Sequence, residues 1–264
     1  MKGRVLVVAG SDSGGGAGLQ ADIKTVTALG GYAMTAVTAL TAQNTLGVHE
    51  IEEVSAGFVE TQMNVVLDDI GVDAIKCGML HRSELIQRVA KIILGLQQRP
   101  MFVLDPVMYA KGGAALLRAE ALTALKQELI PMADVITPNI PEAEALLGYK
   151  IENTNEMKTA ASNLLKWGPG AVLLKGGHMH GSVVTDVLAY GEEVKSYSFS
   201  RLATTDTHGT GCTLASAITV GVAQNMGLED AVIRAREYVF GAIKNAPGFG
   251  SGHGPLNHSH NFWS

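Results

Sequence analysis

The sequence has little cysteine, few aromatic residues and no excess of basic charge, and each shortage excludes something. Two cysteines, Cys77 and Cys212, occur in 264 residues, so no disulfide framework is implied. Lysine and arginine number 20 against 25 aspartates and glutamates, a formal charge of −5. A nucleic-acid binder usually carries a basic footprint, so that class is disfavoured. No run approaches the ~18 apolar residues of a membrane span, and Val5 to Ala9 is too short an apolar run for a signal peptide. There is no G-X-Y period, no linker, no low-complexity segment, and no repeat of roughly 20–50 residues. The chain therefore reads as one cytoplasmic, enzyme-sized domain over residues 1–264. It has no nucleic-acid or membrane partner.

Glycine is the residue in excess, 31 of 264, about 12% against a usual ~7%. With 47% hydrophobic and 17% charged residues the chain is globular, so the glycines belong in turns and in loops that approach ligands. Short apolar runs predict strands at Val5 to Ala9, Ala33 to Ala42, Ala74 to Cys77, Met101 to Leu104, Val135 to Thr137 and Ala171 to Leu174. Helical spacing is seen over Leu19 to Leu29, Phe58 to Leu67, Glu84 to Leu96, Ala119 to Leu129, Glu142 to Leu147, Glu156 to Trp167, Thr213 to Gln224 and Leu228 to Lys244. Val183 to Ala189 and Val194 to Phe199 predict a hairpin turning at Gly191 and Glu192. Alternating strands and helices imply an α/β protein with a mostly parallel sheet, helices on both faces and an antiparallel edge hairpin. Gly10, Gly78, Asp105, Asn139 and Lys175 each follow the C-terminal end of a strand. That edge is where open α/β sheets bind ligands.

Two familiar phosphate motifs fail. Gly16, Gly18 and Ala21 fit G-x-G-x-x-A, but Gly16 does not follow the strand directly and no acid lies between Asp22 and Glu50, so a dinucleotide site is disfavoured. No G-x-x-x-x-G-K-[ST] occurs. Thr207 to Thr213 (THGTGCT), just before a helical pattern, is the strongest local signal. It suits an anion at a helix N-terminus, or else a tight turn with a threonine cap. Lys175 is either a cation at a strand end or a solvated lysine. His178 with His180, and His258 with His260, lack the ligand count of a zinc site and read as surface or turn histidines. Cys77, on an apolar strand, reads as structural.

Taken together, these segments resemble the ribokinase-like superfamily. Within it they are similar to the hydroxymethylpyrimidine/phosphomethylpyrimidine kinases of thiamine biosynthesis. The matching stretches are Ala9 to Asp22, Thr41 to Thr45, Lys76 to Met79, Leu104 to Met108, Ile136 to Asn139 with Glu142, Leu174 to His178, Thr207 to Thr213, and Gly252 to Pro255 with His258. They follow one another in order along essentially the whole chain. Asp206, where the family often has Asn, and Gly112-Gly113 after Lys111 depart from the pattern. Asp206 adds negative charge near the phosphate signal, so its side chain is expected to point away or be neutralised.

The resemblance implies a ribokinase-like three-layer sandwich and ATP-dependent phosphorylation of 4-amino-5-hydroxymethyl-2-methylpyrimidine to its monophosphate and then its diphosphate. Gly209 to Cys212, including Thr210 and Gly211, would hold the transferring group. Lys175 would neutralise nucleotide phosphate charge. Asn139 belongs to the family's N-x-x-E motif, and its partner Glu142 would reach Mg²⁺. Asp105 is either a second carboxylate near the metal or a turn cap before Pro106. Cys212 would act as base for the acceptor hydroxyl, with a pKa lowered by the helix N-terminus. A thiol can also be neutral, so it would not repel the anionic acceptor of the second step. Gln43 would bind the pyrimidine, Gly10 and Asp22 match other pocket positions, and Met79 and Val107 would be apolar walls. Ala110 to Gly113, with Lys111, reads as a lid segment near phosphate. The family also implies a homodimer. A pyridoxal/pyridoxine kinase is the nearest alternative, and a protein that binds ATP without turnover is a more distant one.

Overall fold

The computed structural model describes residues 2–110, 113 and 115–262. The apolar run after Arg4 becomes the strand β1 (Arg4–Asp12), which lies inside a sheet that is nine-stranded among the described residues. The others are β2 (Tyr32–Asn44), β3 (Gly47–Glu53), β4 (Ala74–Cys77), β5 (Met101–Leu104), β6 (Val135–Ile136), β7 (Ala171–Leu174), β8 (Val183–Tyr190) and β9 (Glu193–Ser200). Their order is β3-β2-β1-β4-β5-β6-β7-β8-β9. From β2 to β7 every pairing is parallel, whereas β3 at one edge and β8 and β9 at the other pair antiparallel.

The continuous apolar strands follow from burial on both faces, because successive side chains point to opposite sides. Leu6, Val8, Ile75, Cys77, Phe102 and Leu104 join one core, with α2 (Ala56–Asp69), α3 (Ser83–Gly95), α5 (Ile140–Leu147) and α6 (Thr154–Leu165). Val5, Val7, Ala9, Val103 and Leu173 join the other, with α1 (Gly18–Ala28), α7 (Thr210–Ala223) and α8 (Leu228–Lys244). Each large side chain fully buried in this way contributes roughly 1.5–3 kcal/mol. Helix α7 is buried from Thr213 to Ala223. Its small residues let α1 and α8 pack close on either side. The result is a three-layer sandwich, with an antiparallel hairpin at one edge as predicted.

Several boundaries differ from the sequence reading. Residues 47–53, unassigned there, form β3, which folds back on β2. Strand β1 continues past Gly10 to Asp12, with an irregular register against β2 between Ala9 and Ser11. The predicted helix Ala119 to Leu129 is instead a short turn, α4 (Ala121–Ala124), then a π-helical turn over Leu125–Leu129 and a 3-10 turn over Ile130–Met132. Pro131, inside the last of these turns, has no N–H with which to continue an α-helical ladder. Helix α7 starts at Thr210 rather than Thr213, which puts Gly211 and Cys212 in its first turn.

Candidate active site

The C-terminal edge of the parallel strands opens into one cleft of about 780 Å³. Gly10, Gln43, Met79, Asp105, Val107, Asn139, Glu142, Lys175, Gly209, Thr210, Gly211 and Cys212 all line it. Two predicted residues are not among them. Lys111 lies outside the described residues. Asp22 lies beneath the lining: it is wholly buried on α1, pairs with Lys76 at 2.9 Å and accepts a hydrogen bond from Ser216 at 2.6 Å. Asp22 therefore supports the cleft floor rather than forming a wall.

The cradle is built where α7 meets the loop after β1. Gly209 caps α7 with φ +82°, and a Cβ there would lie 1.8 Å from the carbonyl oxygen of Gly16. Only glycine fits. The first-turn N–H groups of α7 have no carbonyl of their own helix to bond, and they sit at its positive dipole end. Asp12 organises the facing loop, its carboxylate accepting from the N–H groups of Gly14, Gly16 and Ala17 at 2.8–3.0 Å. Asp12 also pairs with His208 Nε2 at 2.8 Å. Burial opposes its ionisation, but His208 and these N–H donors outweigh that and hold its pKa low. Asp206 directs its carboxylate to Thr204 and toward Gly254, and it does not line the cleft.

Charge is concentrated beside the cradle. Lys175 Nζ lies 2.8 Å from Asp105 Oδ1, which also accepts from Thr137 Oγ1 at 3.0 Å. Burial disfavours both charges, but each holds the other ionised. Asp105 and Glu142 raise the Lys175 pKa, while Lys175 and Lys76 lower that of Asp105. Asn139 and Glu142 close a capping box on α5: Asn139 Oδ1 accepts from Glu142 N at 2.9 Å, and Glu142 Oε2 accepts from Asn139 N at 2.7 Å. Burial pushes the Glu142 carboxyl up to about 7 against the pull of Lys175, with Asp105 adding to the rise.

Cys212 departs from expectation. Burial pushes its thiol up to about 11; Lys76 opposes the rise, and Asp22 and Asp105 add to it. The predicted lowering is not seen: Cys212 is half-buried at the cleft wall, and its desolvation, with the carboxylates of Asp22 and Asp105, outweighs the pull of Lys76. Lys76, fully buried yet lining the cleft floor, is a cation the sequence reading did not assign. Its pKa is held above the ordinary value because Asp22, Cys212 and Asp105 outweigh the effect of burial.

One part of the cleft lining is apolar. Met79 and Leu116 pack there with Ala39, Val107 and Ala110. Gln43 stands at its rim, Oε1 accepting from Thr41 Oγ1 at 3.1 Å and Nε2 lying 3.3 Å from His208 Nε2. Beyond Lys175 the lining continues over Val184, Phe199, Leu202, Val239, Phe240 and Ile243. That second arm left no local signature in the sequence, since its side chains come from β8, β9, the segment just after β9 and α8. The C-terminal histidines are packing groups: His258 is buried, meets Thr213 Oγ1 at 3.0 Å and has its pKa lowered to about 4, chiefly by burial. This corrects the surface reading of His258. Cys77 is fully buried, and its thiol is pushed up to about 12 by burial.

A three-layer α/β sandwich with a glycine-capped helix N-terminus, a buried Lys–Asp pair and a flanking glutamate at the strand ends defines a ribokinase-like small-molecule kinase. The sequence model described as phosphomethylpyrimidine kinase matches residues 12–257, and the chain belongs to that family of phosphotransferases. The chain is 45% identical over 258 residues to the hydroxymethylpyrimidine/phosphomethylpyrimidine kinase of Bacillus subtilis, covering 97% of this chain and 94% of that protein. It is 49% identical over 257 residues to the thiamine biosynthesis bifunctional protein ThiED of Geobacter sulfurreducens. That match covers 97% of this chain but only about half, 52%, of the longer protein. Among solved structures, phosphomethylpyrimidine kinase from Clostridium difficile has a TM-score of 0.81 at 41% identity, over 92% of this chain and 100% of that one. Pyridoxal kinase from Staphylococcus aureus with bound pyridoxal has a TM-score of 0.92 at 33% identity, over 100% and 96%. No helix among the described residues is long and apolar enough to cross a membrane.

Proposed function

We propose that the chain transfers the γ-phosphoryl group of ATP to the hydroxymethyl oxygen of 4-amino-5-hydroxymethyl-2-methylpyrimidine, and then a second phosphoryl group to the resulting monophosphate. The observation that carries this reading is one continuous cleft. Met79 and Val107, Phe240, the Gly209 to Cys212 cradle and Lys175 all line this one cavity. Phosphoryl transfer is loose, so positioning and charge stabilisation supply most of the catalysis. The α7 amides receive the transferring group, and Lys175 neutralises phosphate charge while Asp105 keeps it ionised and aimed. Gln43 offers a donor and an acceptor to a ring nitrogen and an amino group. Cys212 enters as a neutral thiol. It passes its own proton to a phosphoryl oxygen as it takes the acceptor's hydroxyl proton, once the acceptor oxygen has largely bonded to phosphorus, and it does not repel an anionic acceptor.

Mg²⁺ fits the donor set through Glu142, a buried carboxyl with no ammonium or guanidinium group within 4 Å among the described residues. Each carboxylate already has partners, Glu142 Oε2 the N–H of Asn139 and Asp105 Oδ1 both Lys175 and Thr137; Asp105 fits less well because one of its partners is an ammonium group. Bound there, Mg²⁺ supplies charge neutralisation on the nucleotide phosphates, largely through its own waters. A cytoplasmic homodimer completes the reading on the family resemblance alone, and sedimentation of the purified chain tests the dimer.

Pyridoxal is the second reading, favoured by the pyridoxal-bound relative of near-identical fold. A coupled ADP-release assay with the hydroxymethylpyrimidine, its monophosphate and pyridoxal as acceptors separates the two. Turnover with both pyrimidines supports the proposal; turnover with pyridoxal alone overturns it and the role given to Gln43.

A further inference from the structure

A line of contacts links the apolar arm on β8, β9 and α8 to the backbone that carries Lys175. The β7–β8 ladder ends at the pair Leu174–Val187. Just beyond it the two chains stay close: a Cβ on Gly176 would lie 1.9 Å from the carbonyl oxygen of Thr185. The N–H of Gly176 goes instead to a side chain, Asp186 Oδ1, at 2.7 Å. The other oxygen of Asp186 pairs with the Arg236 guanidinium at 2.5 Å. Arg236 in turn lies on the ring of Phe199, its Cζ 3.6 Å from the ring centroid, and both residues line the cleft.

This pair is costly to keep for stability alone. Asp186 and Arg236 are 6% and 5% exposed, and Arg236 Nε and Nη1 are buried without an aligned hydrogen bond among the described residues, so Nη1 meets Asp186 as an ion pair. Apolar residues of similar volume often serve a fold as well as a buried ion pair does. What they could not supply is an acceptor for Gly176 N–H. Lys175 itself is fixed on its other side, its N–H donating to Pro138 O at 2.9 Å and its Nζ held by Asp105.

We propose that Asp186, held in place by Arg236, is a positioning residue for Lys175: it fixes the peptide that follows Lys175, so that the ammonium group meets the nucleotide phosphates. Arg236 forms part of the wall of the apolar arm, so the same pair ties the aim of Lys175 to the packing of that arm. The inference rests on the phosphoryl-transfer reading above.

The test compares two charge-free pairs in the full chain, Asp186→Asn with Arg236→Met and Asp186→Leu with Arg236→Met. Only the first keeps an acceptor for Gly176. The expected kcat of the asparagine pair exceeds that of the leucine pair by about tenfold or more, at similar KM for the pyrimidine, because displaced catalytic groups cost rate steeply. Gly176 amide exchange is expected to stay slow in the asparagine pair and to quicken in the leucine pair. In a Lys175→Met background the kcat gap is expected to shrink to within about twofold, since residues acting through one group are not additive. Equal kcat for the two pairs, or a gap that persists without Lys175, overturns the proposal. Should the leucine pair not fold, Asp186→Ala with Arg236→Met makes the same comparison. A wild-type chain that forms no ADP with any acceptor would instead defeat the kinase reading itself.

Discussion

Gly209→Ala is the sharpest perturbation of the cradle. The new Cβ would sit 1.8 Å from the Gly16 carbonyl oxygen, where ordinary contact begins at 3.4 Å. The two loops must then part by about 1.6 Å, and residue 209 must leave or strain its φ of +82°. A left-handed conformation costs a non-glycine residue roughly 1–2 kcal/mol. For a chain of this size that lowers Tm by roughly 2–8 °C. The effect on rate is larger. Displacing a positioning element by about 1 Å can cost ~100-fold, so kcat in the ADP-release assay is expected to fall at least that far. Calorimetry on the same preparation measures the stability loss separately. A variant that keeps kcat within about threefold of wild type would show that the α7 N-terminus does not hold the transferring group.

Three other perturbations test other parts of the site. Glu142 has its pKa raised from its usual 4.5 to about 7, so this group favours the folded apoprotein at acid pH and loses that contribution as pH rises through about 7. Mg²⁺ must displace the same proton, so its apparent affinity by calorimetry should rise about tenfold per pH unit below 7 and level off above. Glu142→Gln should abolish the slope, and a flat wild-type profile would refute this assignment. Lys76→Met leaves Asp22 buried without its ammonium partner, which is expected to cost about 3–5 kcal/mol near pH 8 and less in acid, where Asp22 takes up a proton. An unchanged Tm at pH 8 would count against the pair as a support of the cleft floor. Cys212→Asp places a fixed carboxylate beside the acceptor and should slow the second phosphorylation more than the first. Equal losses in both steps would sink that argument.

The buried half of the fold was legible because it is apolar and regular. Strands β4, β5 and β7 and helix α8 fall on the predicted residues, since a strand buried on both faces shows as an unbroken apolar run. Strand β3 was not legible: at the sheet edge His49, Glu50 and Glu52 face solvent and Glu53 is ion-paired, so neither face carries an apolar pattern. The helical pattern of Ala119 to Leu129 was legible, but its winding was decided by Pro131 and by packing. In the site, residues at strand ends and in the glycine-rich turn were found from position and chemistry. Lys76 was hidden because a lysine within an apolar strand says nothing of the carboxylate that will meet it from α1. The thiol of Cys212 was misjudged for the same reason. Its helix position is visible in sequence, but its partial burial and the carboxylates near it are tertiary facts.

The central claim is two successive transfers to one oxygen chain in one cleft. Phosphorus NMR of a single reaction, with Mg-ATP in excess and the hydroxymethylpyrimidine as sole acceptor, follows it directly. The account predicts a monophosphate ester resonance that rises first and then gives way to the coupled pair of a diphosphate. Inorganic phosphate as the only product, or a monoester that never advances with ATP still present, would contradict it.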